Sequence, residues 1–117
     1  MNTFLRSLKY AIAGITQLLK TEHNFKLLIF IEVFVVITGL IFSITETEWL
    51  IVLTVSALVI SLEAMNSALE KLCNLYSKEE NTQIKVIKDI AAGAVLITAI
   101  FALIIGVIIF TKYFKNW

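Results

Sequence analysis

The chain has 117 residues, 59% of them hydrophobic and 16% charged, with a formal net charge of +1 and a mean hydropathy of +0.90. Soluble domains average about 45–50% apolar residues even with glycine counted, so this composition excludes an ordinary soluble domain and indicates an integral membrane protein. The near-neutral charge gives no case for nucleic acid, and a lone Cys73 excludes an intrachain disulfide. No proline and only four glycines suit a chain of helices joined by short connections.

Residues 2–20 predict an amphipathic helix. Phe4, Leu8, Ala11, Ile12, Ile15, Leu18 and Leu19 recur at helical spacing, while Arg6, Lys9, Thr16 and Gln17 take other positions. No uninterrupted apolar core follows the charges, so the segment does not read as a signal peptide. It reads as a helix lying in the membrane surface, with Arg6, Lys9 and Lys20 near anionic headgroups; a helix packed on its neighbours is the alternative. Thr21 to Lys26 form a polar elbow, where His23 reads as a headgroup contact rather than a metal ligand. The first span covers about 27–45 and is interrupted by Glu32, expected to face protein, water or headgroups. Glu46 and Glu48 read as a solvated turn on the far side, and Trp49 as an interfacial anchor.

The second span, about 49–75, carries the most unusual stretch, Ser61-Leu-Glu-Ala-Met-Asn-Ser-Ala-Leu-Glu-Lys-Leu72. On a helix Glu63, Asn66 and Glu70 fall within a sector of roughly 60°. Ala57, Ser61, Ala64 and Ala68 lie nearly opposite, a face small enough for close helix packing. Carboxylates at membrane depth are expensive and are kept for a pathway, a proton relay or a site. A structural polar contact between helices is the plainer alternative. Lys71 reads as a snorkelling anchor turned away from Glu70, and Cys73 as a packing residue. Residues 77–88 read as a polar connector. The third span, about 89–111, opens at Asp89, expected at a helix N-terminus where negative charge is favourable. Ala94, Thr98, Ala102 and Gly106 step by four along it as a small-residue seam, and the tail to Trp117 anchors the far interface.

Arg6, Lys9, Lys20 and Lys26 precede or open the first span, and Lys71, Lys78, Lys85 and Lys88 flank the second connector; Lys112 and Lys115 lie on the other side. The positive-inside rule puts the N-terminus and that connector in the cytoplasm. Glu22, Glu63, Asn66, Glu70, Lys88 and Asp89 then converge on one leaflet. Mg²⁺ takes one or two carboxylates plus phosphate oxygens. A lysine offsets phosphate charge, and a further carboxylate can accept a hydroxyl proton. No P-loop and no kinase Gly-rich loop occurs. The residues alone therefore point to a membrane-embedded site for a cation and an anionic ligand. Rival readings are a small proton-coupled transport protein using Glu63 or Glu70, and an accessory helical protein without catalysis. The first predicts polar groups through to the far leaflet, and the second leaves the aligned trio unexplained.

Glu63-x-x-Asn66-Ser67-Ala68-x-Glu70 followed by Lys88-Asp89-x-Ala91-Ala92-Gly93-Ala94-Val95 resembles the signature of prokaryotic diacylglycerol kinases. Tyr10-x-x-x-Gly14 and Thr21-Glu22-x-Asn24-Phe25 extend the likeness over nearly the whole chain. The Thr-Glu-x-Asn-Phe elbow, Thr47-Glu48-Trp49 and the Ala-Ala-Gly-Ala-Val run are most similar to the Gram-positive, undecaprenol-phosphorylating branch. The resemblance implies an all-α integral membrane protein with a surface helix plus three transmembrane helices. It also implies one lipid-kinase domain over 1–117, and a homotrimer with sites between subunits in the bacterial cytoplasmic membrane. It implies that MgATP phosphorylates a lipid alcohol, undecaprenol or alternatively diacylglycerol. By matching positions Glu63 would be the catalytic base, and Glu22 and Glu70 the Mg²⁺ ligands. Tyr10, Glu22, Asn66, Glu70, Glu79, Glu80, Asn81, Lys88 and Asp89 would contact ATP. Asn24, Phe25, Glu63 and Ala92 would contact the lipid. The chain departs from the family at Asn74, where aspartate is usual, at Asn81, where histidine is frequent, and at Lys26, where arginine or glutamine is more usual.

Overall fold

The structure, a computed structural model, describes residues 2–77, 79 and 81–115. Glu80, expected on the nucleotide side, Lys78 of the connector and Trp117, expected as an anchor, lie outside the described residues. The described residues form four helices and no strands: α1 (Thr3–Thr21), α2 (His23–Phe42), α3 (Glu46–Tyr76) and α4 (Thr82–Lys115). The last three are long and apolar enough to cross a membrane. Threonines inside them return their hydroxyls to their own helix, as Thr38 to Phe34 O at 2.8 Å and Thr54 to Leu50 O at 2.6 Å. Polar groups at membrane depth are thereby satisfied without leaving the helix.

Helix bounds differ from expectation at both polar connections. The elbow shrinks from six residues to one: Glu22 alone leaves the helix, at φ −104° and ψ 108°. His23 to Lys26 contain no helix breaker, and Lys26 N–H already bonds Glu22 O at 3.1 Å. The second connector shrinks likewise, because α4 begins at Thr82 rather than at Asp89. Asn81 Oδ1 accepts from Gln83 N–H at 2.8 Å and Ile84 N–H at 3.4 Å, a side-chain N-cap. Asp89 therefore lies about two turns inside the helix, beyond the reach of the terminal dipole.

Packing is concentrated in α3 and α4, and principal extents of 54 × 43 × 21 Å describe a slab about two helices thick. The buried residues of α3 are Glu48, Val52, Val59, Glu63, Asn66, Ser67 and Cys73, a stripe roughly 120° wide. The small face of α3 does not pack within the protomer: Ala57, Ser61 and Ala68 are exposed. On the α4 seam Ala94, Thr98, Ala102 and Gly106 are all half-buried, but Ala102 and Gly106 border a cavity and a Cβ at Gly106 would meet nothing within 4 Å. Helix α1 buries no residue, so its apolar face is not packed on its neighbours within the protomer.

The apolar core sits at one end, the turn between α2 and α3. Ile44, Val52 and Ile109 form it, flanked by Val35, Phe42, Trp49, Ile105, Phe110 and Tyr113. Ser43 takes a left-handed conformation (φ 51°, ψ 54°). Its N–H bonds Leu40 O at 3.3 Å and the Ile44 N–H bonds Gly39 O at 3.2 Å, closing the helix end. Gly39 leaves room for Trp49: a Cβ there would stand 2.7 Å from the indole Cη2.

At this end the structure overturns the solvated-turn expectation for Glu48, which is 6% exposed. Thr45 and Glu48 form a capping box, with Glu48 N–H donating to Thr45 Oγ1 at 3.2 Å and Thr45 N–H to Glu48 Oε1 at 3.0 Å. Tyr113 OH donates to the same carboxylate and Lys112 Nζ pairs with it. A carboxylate so engaged is buried because three groups, the Thr45 N–H from the turn and Lys112 and Tyr113 from α4, replace its water. Trp49 is half-buried against Gly39 rather than only an interfacial anchor.

Candidate functional site

At the opposite, elbow end the buried stripe of α3 turns polar. Glu63 is 6%, Asn66 7% and Ser67 2% exposed, and they continue the line that Val52 and Val59 occupy nearer the turn. Counting from Trp49 at 1.5 Å per residue, Glu63 lies about 21 Å and Glu70 about 32 Å along the axis. With a hydrocarbon core of about 30 Å, Glu63 is inside the apolar zone and Glu70 at its edge.

Asn66 joins these two carboxylates. Its Nδ2 donates to Glu70 Oε1 at 3.4 Å, and the side chain also interacts with Glu63. Its Oδ1 is buried without a hydrogen-bond partner among the described residues. Glu63 stands within electrostatic reach of both Glu70 and Glu22. The single-residue elbow delivers Glu22 to this side of α3, where its Oε1 is 3.1 Å from Lys71 Nζ. From α4, half-buried Lys88 donates to Asn74 Oδ1 at 2.6 Å, one turn beyond Glu70. Three carboxylates, one orphaned amide oxygen and two lysines are thus strung along α3 at this end.

The structure associates Glu22, Glu63, Asn66 and Glu70, and puts Lys88 on Asn74, one turn beyond Glu70. Asp89 is exposed and pairs with Lys85 at 2.7 Å on its own helix, and Asn81 is occupied in capping α4. Tyr10 and Asn24 are exposed on α1 and α2, Ala92 is exposed on α4, and Phe25 is 4% exposed. Glu79 sits in the bend after α3, where its N–H donates to Ser77 Oγ at 3.2 Å. Cys73 is a buried free thiol, in keeping with packing. Glu32 is half-buried on α2 and borders an apolar cavity of about 600 Å³ between α2, α3 and α4.

Lys71 was not expected here. Its partner is 49 positions away, so no local pattern announces the pair. The Glu48 cluster had a legible signal, since Thr45-x-x-Glu48 before an apolar run is a capping-box pattern.

Among the described residues no three His, Cys, Asp or Glu side chains converge closely enough to hold a metal ion alone. Mg²⁺ needs only one or two carboxylates when phosphate oxygens and water complete its shell. The hard oxygen donors of Glu22 and Glu70, with the unpartnered Asn66 Oδ1 nearby, fit such an ion.

The prokaryotic diacylglycerol kinase family matches residues 9–110. An undecaprenol kinase from Bacillus subtilis (strain 168) is 34% identical over 110 residues, 94% of this chain and 89% of that protein. A diacylglycerol kinase from Synechocystis sp. is 35% identical over 103 residues, 87% of this chain but 59% of that longer protein. No solved structure matches the chain. Elbow, α3 stripe and the start of α4 all fall within the matched stretch, and the chain belongs to the prokaryotic diacylglycerol kinase family, the lipid kinases of bacterial membranes.

Proposed function

We propose that the protein is an undecaprenol kinase, using ATP and Mg²⁺, with its site at the cytoplasmic face of the bacterial membrane. The observation that carries this reading is a buried Glu63 inside the apolar zone, one helical turn from Asn66 and two from Glu70. A lipid alcohol can bring its hydroxyl to Glu63 while its chain stays in the bilayer. ATP reaches the same place from water past Glu70 and Lys88. Glu63 accepts the hydroxyl proton, the lipid oxygen forms a bond to the γ-phosphorus in line, and the bond from that phosphorus to the bridging oxygen of the leaving ADP breaks. Glu22 and Glu70 would hold Mg²⁺, which supplies charge neutralisation to the phosphates when bound. Lys88, oriented by Asn74, adds a further positive charge. Tyr10, Glu79, Glu80, Asn81 and Asp89 belong to the nucleotide side in this reading, and Asn24, Phe25 and Ala92 to the lipid side. The whole of 1–117 acts as one unit, completed by a homotrimer.

The similarity to the Bacillus protein, covering most of both chains, supports undecaprenol over diacylglycerol as acceptor. Purified protein given labelled ATP and Mg²⁺, with each lipid offered separately, tests the choice. The expected result is label in undecaprenyl phosphate at a rate well above that in phosphatidate; the reverse order assigns diacylglycerol.

A further inference from the structure

We propose that Lys71 is the resting counter-ion of the metal site, an ammonium that pairs with Glu22 until a divalent cation displaces it. This rests on the metal role proposed above for Glu22. Lys71 Nζ lies 3.1 Å from Glu22 Oε1, and the two side chains are 50% and 28% exposed, so the pair is open to exchange. Glu22 is also the only residue between α1 and α2 outside a helix. A surface helix that buries nothing of its own is therefore tied to α3 by this pair.

The physics of the exchange is simple. Glu63 stands within electrostatic reach of both Glu22 and Glu70, and like charges near a membrane edge repel. An ammonium on Glu22 offsets its share of that repulsion and holds the elbow in place. A divalent cation brings twice the charge and prefers carboxylate oxygen, so it takes over both tasks. An exposed ion pair contributes little, which keeps the displacement cheap and reversible. Lys71 is then a positioning residue: it acts on Glu22, and through Glu22 on the metal.

Mn²⁺ alone, followed by electron paramagnetic resonance on the purified full chain in detergent, measures the exchange. Lys71→Ala removes the competitor and should tighten Mn²⁺ binding by roughly two- to fivefold, the range an exposed pair allows. Lys71→Arg keeps the charge and should bind as wild type does. The gain from Lys71→Ala should vanish when Glu22→Gln is also present. Hydrogen exchange of residues 20–26 supplies a second readout: in metal-free Lys71→Ala protein it should rise, and saturating Mn²⁺ should restore protection. If Glu22→Gln leaves Mn²⁺ binding unchanged, the metal role of Glu22 is wrong and this inference goes with it. If Glu22→Gln weakens binding but Lys71→Ala changes neither affinity nor elbow exchange, the counter-ion role alone is overturned.

Discussion

The two ends of this slab are built on opposite principles. At the turn end a carboxylate, Glu48, is buried, with Thr45 and Tyr113 on one oxygen and the Lys112 ammonium paired with the other. Around it lie the apolar core and the Phe42–Tyr113 and Phe42–Phe114 ring pairs, with centroids 5.8 and 5.0 Å apart. At the elbow end another carboxylate, Glu63, is as deeply buried but faces two other carboxylates and an amide whose oxygen has no partner among the described residues. The same residue type is a lock where its charge is matched and, in the reading proposed above, a base where it is not. A polar group left without its partner inside a protein costs stability, so the turn end supplies the packing that the elbow end forgoes.

If that division holds, turn-end substitutions lower stability and elbow-end substitutions lower chemistry. The largest effect belongs to Glu63→Gln, which keeps the shape but cannot take a proton; turnover should fall by about 10²–10⁴-fold, the usual contribution of a positioned base, with thermal stability in detergent unchanged or raised. Near-normal turnover of purified variant would exclude Glu63 as the base. Glu70→Ala comes next: Mg²⁺-dependent ATP binding, read by calorimetry, should weaken by on the order of tenfold or more, as loss of a metal ligand requires. Unchanged affinity would take Glu70 out of the metal role.

At the other end, Glu48→Ala removes the acceptor shared by the cap, Lys112 and Tyr113. Its thermal midpoint in detergent should drop by several degrees, with turnover per folded molecule little altered. A variant that kept its midpoint but lost activity would break the division outright. The smallest effect is Gly39→Ala. Its Cβ meets the Trp49 ring at 2.7 Å, and overpacking of this kind costs about 1–3 kcal/mol, partly offset by about 1 kcal/mol of better helix propensity. Tryptophan emission should shift along with a small loss of stability.

Much of this was legible in the chain. Three apolar runs of bilayer length specify three spanning helices, because a segment in lipid must satisfy its own backbone. The spacing of Glu63, Asn66 and Glu70 puts them on one face of any helix they form. The motif around them was enough to suggest the family. Connector lengths were not, since whether His23 or Thr82 joins a helix turns on local hydrogen bonds such as the Asn81 cap, which compete with polar composition. Nor was the fate of individual charges. Glu48 and Glu46 look alike in sequence, yet only Glu48 is buried, because α4 returns Lys112 and, 65 residues on, Tyr113 to it. Lys71 turns from anchor to partner because the elbow carries Glu22 across to α3. Periodicity and composition act within a helix and are written into the chain locally. Which charge finds which partner depends on the meeting of distant segments, and only the tertiary structure decides that.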